Sequence, residues 1–142
     1  MIRSAMVTLG LLIMPVVAAA TPSIELFKSP DCLCCEAYAD YLRTAGFEIA
    51  VKATPDLMGM SAAAGIPAGL EGCHLAFVDG YIVSGHVPAD VVRRLLEERP
   101  EVAGVTLPGM PLGSPGMDGE KSEPFTIYTF GGETPPVVFA VQ

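Results

Sequence analysis

Three of the chain's four cysteines stand together as Cys32-Leu33-Cys34-Cys35, where a strand-like run over residues 24–28 gives way to a helical pattern. This junction constrains the fold more than any other feature. A strand-to-helix turn sets side chains beside unpaired backbone N–H groups and the positive end of a helix dipole, and both stabilise sulfur anions. The partner of such a cluster is a soft metal ion or another sulfur.

The rest of the chain reads as a small α/β domain. Residues 24–28 alternate as a strand does, and Ser29-Pro30-Asp31 is a turn in which Asp31 is the expected N-cap. Tyr38, Leu42 and Ala45 recur at helical spacing over residues 35–45, and Gly46 closes that helix. A strand over 47–51 follows, then a short helix from Asp56 through Ala64, stopped by Gly65 and Pro67. Met58 and Met60 on that helix read as packing residues. Asp79-Gly80 joins two strand-like runs, 73–78 and 81–84, into a hairpin, and Pro88 opens a helix that Pro100 ends. A Gly/Pro/Met-rich stretch over 107–117 leads to further strands at 125–130 and 137–141. The order β-α-β-α-β-β-α is that of a thioredoxin-like fold. The expected class is therefore α/β, thioredoxin-like, with a central mixed β-sheet flanked by helices and the Cys32-x-x-Cys35 pair at its first strand-to-helix junction. Pro67 is a candidate for the cis-proline that such folds carry.

Compartment decides what the cysteines mean. Arg3, an apolar run over 5–17 and Ala18-Ala19-Ala20 read as a secretory signal peptide over residues 1–20, leaving a single domain over 21–142. Removing Arg3 shifts the formal charge from −8 to −9, which argues against nucleic acid or an anionic membrane as partner. The expected location is periplasmic. In an oxidising compartment cysteines usually pair, yet adjacent Cys34 and Cys35 are poor partners, because about 3.8 Å between neighbouring Cα atoms is shorter than disulfides prefer. A framework of two structural bridges would need Cys73 to join one cluster member and the other two to pair with strain.

Three motifs in sequence order, PDCLCC, GCHLAFVDGYIVSGHVPADVV and LPGMPLGSPGM, resemble the CopG-type family of exported bacterial proteins, also catalogued as domain of unknown function 411. The likeness spans residues 24–130. It implies a thioredoxin-like fold, a cysteine-centred copper cluster, a role in periplasmic copper resistance, and redox handling of the metal. The family's C-x-C-C falls on Cys32, Cys34 and Cys35, its Cys-His pair on Cys73 and His74, and its Gly-His-Val-Pro on residues 85–88. Leu33 stands where the family pattern leads one to expect glycine.

The chemistry of the residues agrees with that implication. Thiolates and thioethers are soft and select Cu(I), which tolerates the low coordination numbers a cramped Cys-x-Cys-Cys offers, and bridging thiolates can hold more than one ion. The candidate metal ligands are Cys32, Cys34, Cys35, Cys73, His86, Met110 and Met117, with His74 and Asp31 around them. Cys73 heads a strand and is a ligand, a disulfide partner or a small core residue. His74 would then point away from Cys73, by the alternation of a regular strand, and is a supporting or surface residue. His86 lies in a loop, as a ligand or a hydrogen-bonding residue. Met110 and Met117 lie in a stretch that either folds over the cluster as a lid or is an exposed structural loop. The expected partners are copper ions and other periplasmic copper-handling proteins. The competing function is a periplasmic thiol–disulfide oxidoreductase with Cys32 attacking and Cys35 resolving, for which the third thiol, Cys34, is a hindrance. A structural zinc site is weaker, since the chain lacks two spaced ligand doublets.

Overall fold

The computed structural model describes residues 21–133 and 135–142, so the signal-peptide reading of residues 1–20 lies outside the described residues. Strands β1 (Ser23–Lys28), β2 (Glu48–Ala53), β3 (His74–Val78), β4 (Tyr81–Ser84), β5 (Gly104–Thr106), β6 (Thr126–Phe130) and β7 (Val138–Val141) form one sheet. Its order is β2-β1-β3-β4-β5-β6-β7. β1 pairs in parallel with β2 and β4 with β5; the other four pairings are antiparallel, so the sheet is mixed. Helices α1 (Leu33–Thr44), α2 (Leu57–Ala63) and α3 (Ala89–Glu98) flank it.

Side-chain alternation along the strands makes two cores. Ile24, Leu26, Ala76, Val78, Tyr81 and Val83 face one way and pack with Tyr38, Ala39 and Leu42 of α1 and Val91, Val92 and Leu95 of α3. Leu75, Phe77 and Ile82 face the other way, against Leu57 and Met60 of α2. Lys28 and His74 are register partners in β1 and β3, so both belong to the α1 face.

Local signals hold closely. Gly46 follows the C-cap of α1 at φ +92°, and Asp56 caps α2 by accepting a hydrogen bond from the Gly59 N–H at 3.0 Å. Asp79 and Gly80, both at positive φ, make the hairpin turn, and Arg99 ends α3 in the left-handed region just before Pro100.

Three expectations are corrected and one strand is added. Asp31 is an exposed turn residue; the N-cap of α1 is Cys32, because the helix starts at Leu33, one residue later than an Asp31 cap requires. Every peptide bond among the described residues is trans, Pro67 included. Met58 is 66 % exposed, since α2 is too short to bury more than one side, whereas Met60 does pack. The three-residue β5 was not foreseen: Gly-Val-Thr is too short to show a period, and pairing with β4 and β6 on either side makes it a strand.

Candidate functional site

The cysteine motif sits where β1 delivers the chain to α1. Cys32 is the N-cap with an extended backbone, its N–H donating to the Ser29 carbonyl at 3.1 Å, while Leu33, Cys34 and Cys35 form the first helical turn. Lys28 anchors this turn. Its ammonium is buried and donates to the carbonyls of Ser29 (3.3 Å) and Pro30 (3.1 Å), with Glu36 at 3.1 Å. Leu33, at the expected glycine position, is 83 % exposed and lines a surface cavity together with Cys34.

All four sulfurs meet at this junction. Cys32 and Cys35 are joined by a disulfide across a 5.4 Å Cα–Cα separation, while Cys34 and Cys73 are free. Cys34 Sγ lies 3.5 Å from Cys32 Sγ, and Cys73 Sγ lies 3.6 Å from Cys35 Sγ. This differs both from a fully reduced cluster and from a framework of two bridges. A one-turn helical C-x-x-C has an ordinary Cα separation for bonding, which neighbours in sequence lack.

Cys73 does not head a strand. It lies in the bend before β3, so the alternation that would send His74 away from it does not apply. His74 is fully buried rather than at the surface. Its ring packs 4.6 Å from the Tyr38 ring and 5.2 Å from that of His86, and its Nδ1 is 3.5 Å from Cys73 Sγ. His74 Nε2 is buried without a hydrogen-bond partner.

His86 is held at both ends. Nδ1 lies 2.6 Å from the Pro115 carbonyl, which can only accept, so Nδ1 carries the proton and the Nε2 lone pair faces Cys73 Sγ at 2.9 Å. A backbone carbonyl on the far nitrogen is how metal-ligating imidazoles are commonly oriented. Burial lowers the pKa of His86, partly offset by the Pro115 bond, and burial with the neighbouring His86 charge pushes His74 down to about 3. Both imidazoles are therefore neutral near pH 7. Burial first, then Cys34, pushes the Cys73 thiol up to about 12, so a metal or a base must take its proton.

Residues 107–117 do fold against the cluster, through backbone rather than through a thioether alone. Ser114 is buried and closes a turn with Pro111 (Oγ to carbonyl, 2.7 Å), and Gly116 lies so close to α1 that a Cβ there would be 2.5 Å from Tyr38 N. This stretch presents the Pro115 carbonyl to His86. Met117 lines a cavity of about 430 Å³ with Leu33, Cys34, Leu112 and Asp118. Met110, 53 % exposed, lines another of about 270 Å³ with Met58, Glu71 and Cys73. Each methionine thus borders the space beside one free thiol.

Cys32, Cys34, Cys35 and Cys73 have their sulfurs within 4.8 Å of one another, and Cys35, Cys73, His74 and His86 do likewise through sulfur and ring nitrogen. Three contributors escaped sequence reasoning. Tyr38, read only as an apolar helix position, backs both imidazoles and donates its hydroxyl to the Val87 carbonyl at 2.8 Å. Lys28 and the Pro115 carbonyl left no periodic or motif signal, although a lysine on the buried side of β1 is one to question.

Fold and site together define an α/β protein that gathers a cysteine–histidine cluster at the first strand-to-helix junction of a mixed sheet. Residues 70–117 match the family model described as "Protein of unknown function, DUF411". Two solved structures align over most of the chain. "Copper resistance protein copG- Form 2" has 29 % identity and a TM-score of 0.81, covering 87 % of this chain and 99 % of its own. "Copper resistance protein copG- Form 1" has 30 % identity and a TM-score of 0.77, covering 84 % and 96 %. No curated relative matches the sequence. The chain belongs to the CopG-type, DUF411 family. No helix among the described residues is long and apolar enough to cross a membrane.

Proposed function

We propose that this is an exported copper-handling protein that binds Cu(I) through Cys32, Cys34, Cys35, Cys73 and His86, with Met110 and Met117 as weaker thioether donors from the 107–117 loop. The observation that carries the reading is the convergence of all four sulfurs beside an Nε2 lone pair whose opposite nitrogen is already fixed. Thiolate, imidazole and thioether donors suit cuprous ion, and the likeness to solved copper resistance proteins supports copper as the cargo. Bridging thiolates allow more than one ion. Residues 1–20 serve as the export signal, residues 21–142 form the one metal-binding domain, and a periplasmic location follows from export. The order and pairing of β1 to β4 and α1 to α3 support a thioredoxin-like description of the core.

The disulfide ties binding to redox state. While Cys32 and Cys35 are bonded they are not thiolate donors; two electrons open the full set. In the reverse direction, two thiolates joining as a disulfide release two electrons, enough to take two Cu(II) to two Cu(I). The test is anaerobic titration of the reduced protein with Cu(I) against a competing chelator, together with a thiol count. More than one equivalent is expected, falling in Cys34→Ser. Less than one equivalent in the wild type refutes the reading.

The same disulfide favours one competing function, thiol–disulfide exchange with other proteins by Cys32 and Cys35. That function requires disulfide-reductase activity that survives Cys34→Ser.

A further inference from the structure

The four sulfurs form one compact group, all within 4.8 Å of one another. Cys34 lies beside Cys32, Cys32 is bonded to Cys35, and Cys35 lies 3.6 Å from Cys73. Each sulfur of the disulfide therefore has a free thiol in contact with it. Of the two free thiols, Cys73 has a base at its sulfur: His86 Nε2 is 2.9 Å from Cys73 Sγ, and the Nδ1–H donated to Pro115 leaves the Nε2 lone pair aimed at it. Cys35 is fully buried, whereas Cys32, Cys34 and Cys73 are partly exposed.

We propose that the protein moves its own disulfide from Cys32–Cys35 to Cys35–Cys73, with Cys73 as the attacking thiol and His86 as its base. As the Cys73 proton passes to His86 Nε2, the Cys73 sulfur forms a bond to Cys35. The Cys35–Cys32 bond breaks, and Cys32 leaves with the electron pair as a thiolate. His86 gives its proton to solvent and Cys32 takes one back, so one thiol is consumed and one is formed, with no outside oxidant or reductant. The product is a Cys32-x-Cys34 dithiol on either side of the exposed Leu33, with Cys34 lining the cavity that Met117 also lines. The oxidised chain thereby presents two partly exposed, neighbouring thiols to a soft cation or another electrophile. Neither the bond exchange nor its test depends on copper binding.

The experiment uses metal-free, non-reduced full chain incubated with iodoacetamide at neutral pH, quenched in acid at intervals and mapped by peptide mass spectrometry. The expected product carries label on Cys32 and Cys34 with Cys35 and Cys73 bridged, and it accumulates with time. His86→Gln is expected to slow it by about 100-fold, within the range for a positioned base. Cys73→Ser is expected to abolish labelling of Cys32. A map in which Cys34 and Cys73 are labelled and Cys32–Cys35 stays intact overturns the proposal, as does Cys32 labelling that persists in Cys73→Ser. An unchanged rate in His86→Gln overturns the assignment of the base. A protein that fails to hold Cu(I) but gives the exchange product removes the copper reading alone.

Discussion

Replacing Gly116 by alanine tests whether the 107–117 stretch sets the histidine of the site. The new Cβ would lie 2.5 Å from Tyr38 N, 2.8 Å from Tyr38 Cα and 3.0 Å from the Cys34 carbonyl oxygen, all of them backbone atoms of α1 that have no rotamer to change. Comfortable contact begins near ~3.5 Å, so the loop must retreat by about 1 Å. Gly116 also sits at φ +81°, which costs a side-chain-bearing residue roughly 1–2 kcal/mol. Overpacking adds about 1–3 kcal/mol. A retreat of that size stretches the Pro115–His86 bond from 2.6 Å to beyond hydrogen-bonding range, losing about 1 kcal/mol more. The expected total is about 3–6 kcal/mol. Gly109→Ala is the control, since Gly109 has φ +70° with nothing within 4 Å of its built Cβ and should lose only the conformational ~1–2 kcal/mol. Urea denaturation of the metal-free protein gives both values, and nitrogen NMR of His86 reports which ring nitrogen carries the proton. Equal losses in the two variants, or an unaltered His86 tautomer in a destabilised Gly116→Ala, would show that this loop does not position the imidazole.

Two further outcomes follow from buried polar groups. His74 has a folded-state pKa of about 3 against 6.5 for the free side chain, so the unfolded chain binds the extra proton; stability is full above about pH 6.5 and is lost as pH falls toward 3. His86, shifted the same way, adds to the slope, and each histidine contributes at most about 1.4 kcal/mol per pH unit. The urea midpoint of the metal-free protein should drop between pH 6.5 and 5; a flat midpoint there contradicts the burial argument. Lys28→Met keeps the apolar stem but removes the bonds to the Ser29 and Pro30 carbonyls, and is expected to cost about 1–3 kcal/mol in the same assay. Half-exposed Glu36 contributes little of that, so Glu36→Gln should stay within about 1 kcal/mol of wild type, and a larger loss there than in Lys28→Met would reverse this ranking.

Much of the scaffold was legible in the sequence because its signals are local. Gly46, Asp56, Asp79-Gly80, Pro88 and Pro100 each fix a turn or a cap through their own φ angle or a hydrogen bond to a near neighbour, and strand or helix periodicity fills the spans between them. The cysteine motif was legible for the same reason. β5 was not, since its three residues become a strand only when β4 and β6 pair with them.

The sequence by itself determined the order of elements and the placing of three cysteines at a helix start, since both depend on residues within a few positions of one another. Tertiary structure decided the rest of the site. Cys73 meets Cys35 across 38 positions because β3 pairs antiparallel with β1, and Pro115 reaches His86 across 29 because Gly116 lets the loop lie directly on α1. Whether Cys73 and His74 share a side turned on where β3 begins. Side chains alternate only along a strand, so the start of β3 at residue 74, set by pairing with β1 and β4, leaves Cys73 in the preceding bend and able to face the same cluster as His74.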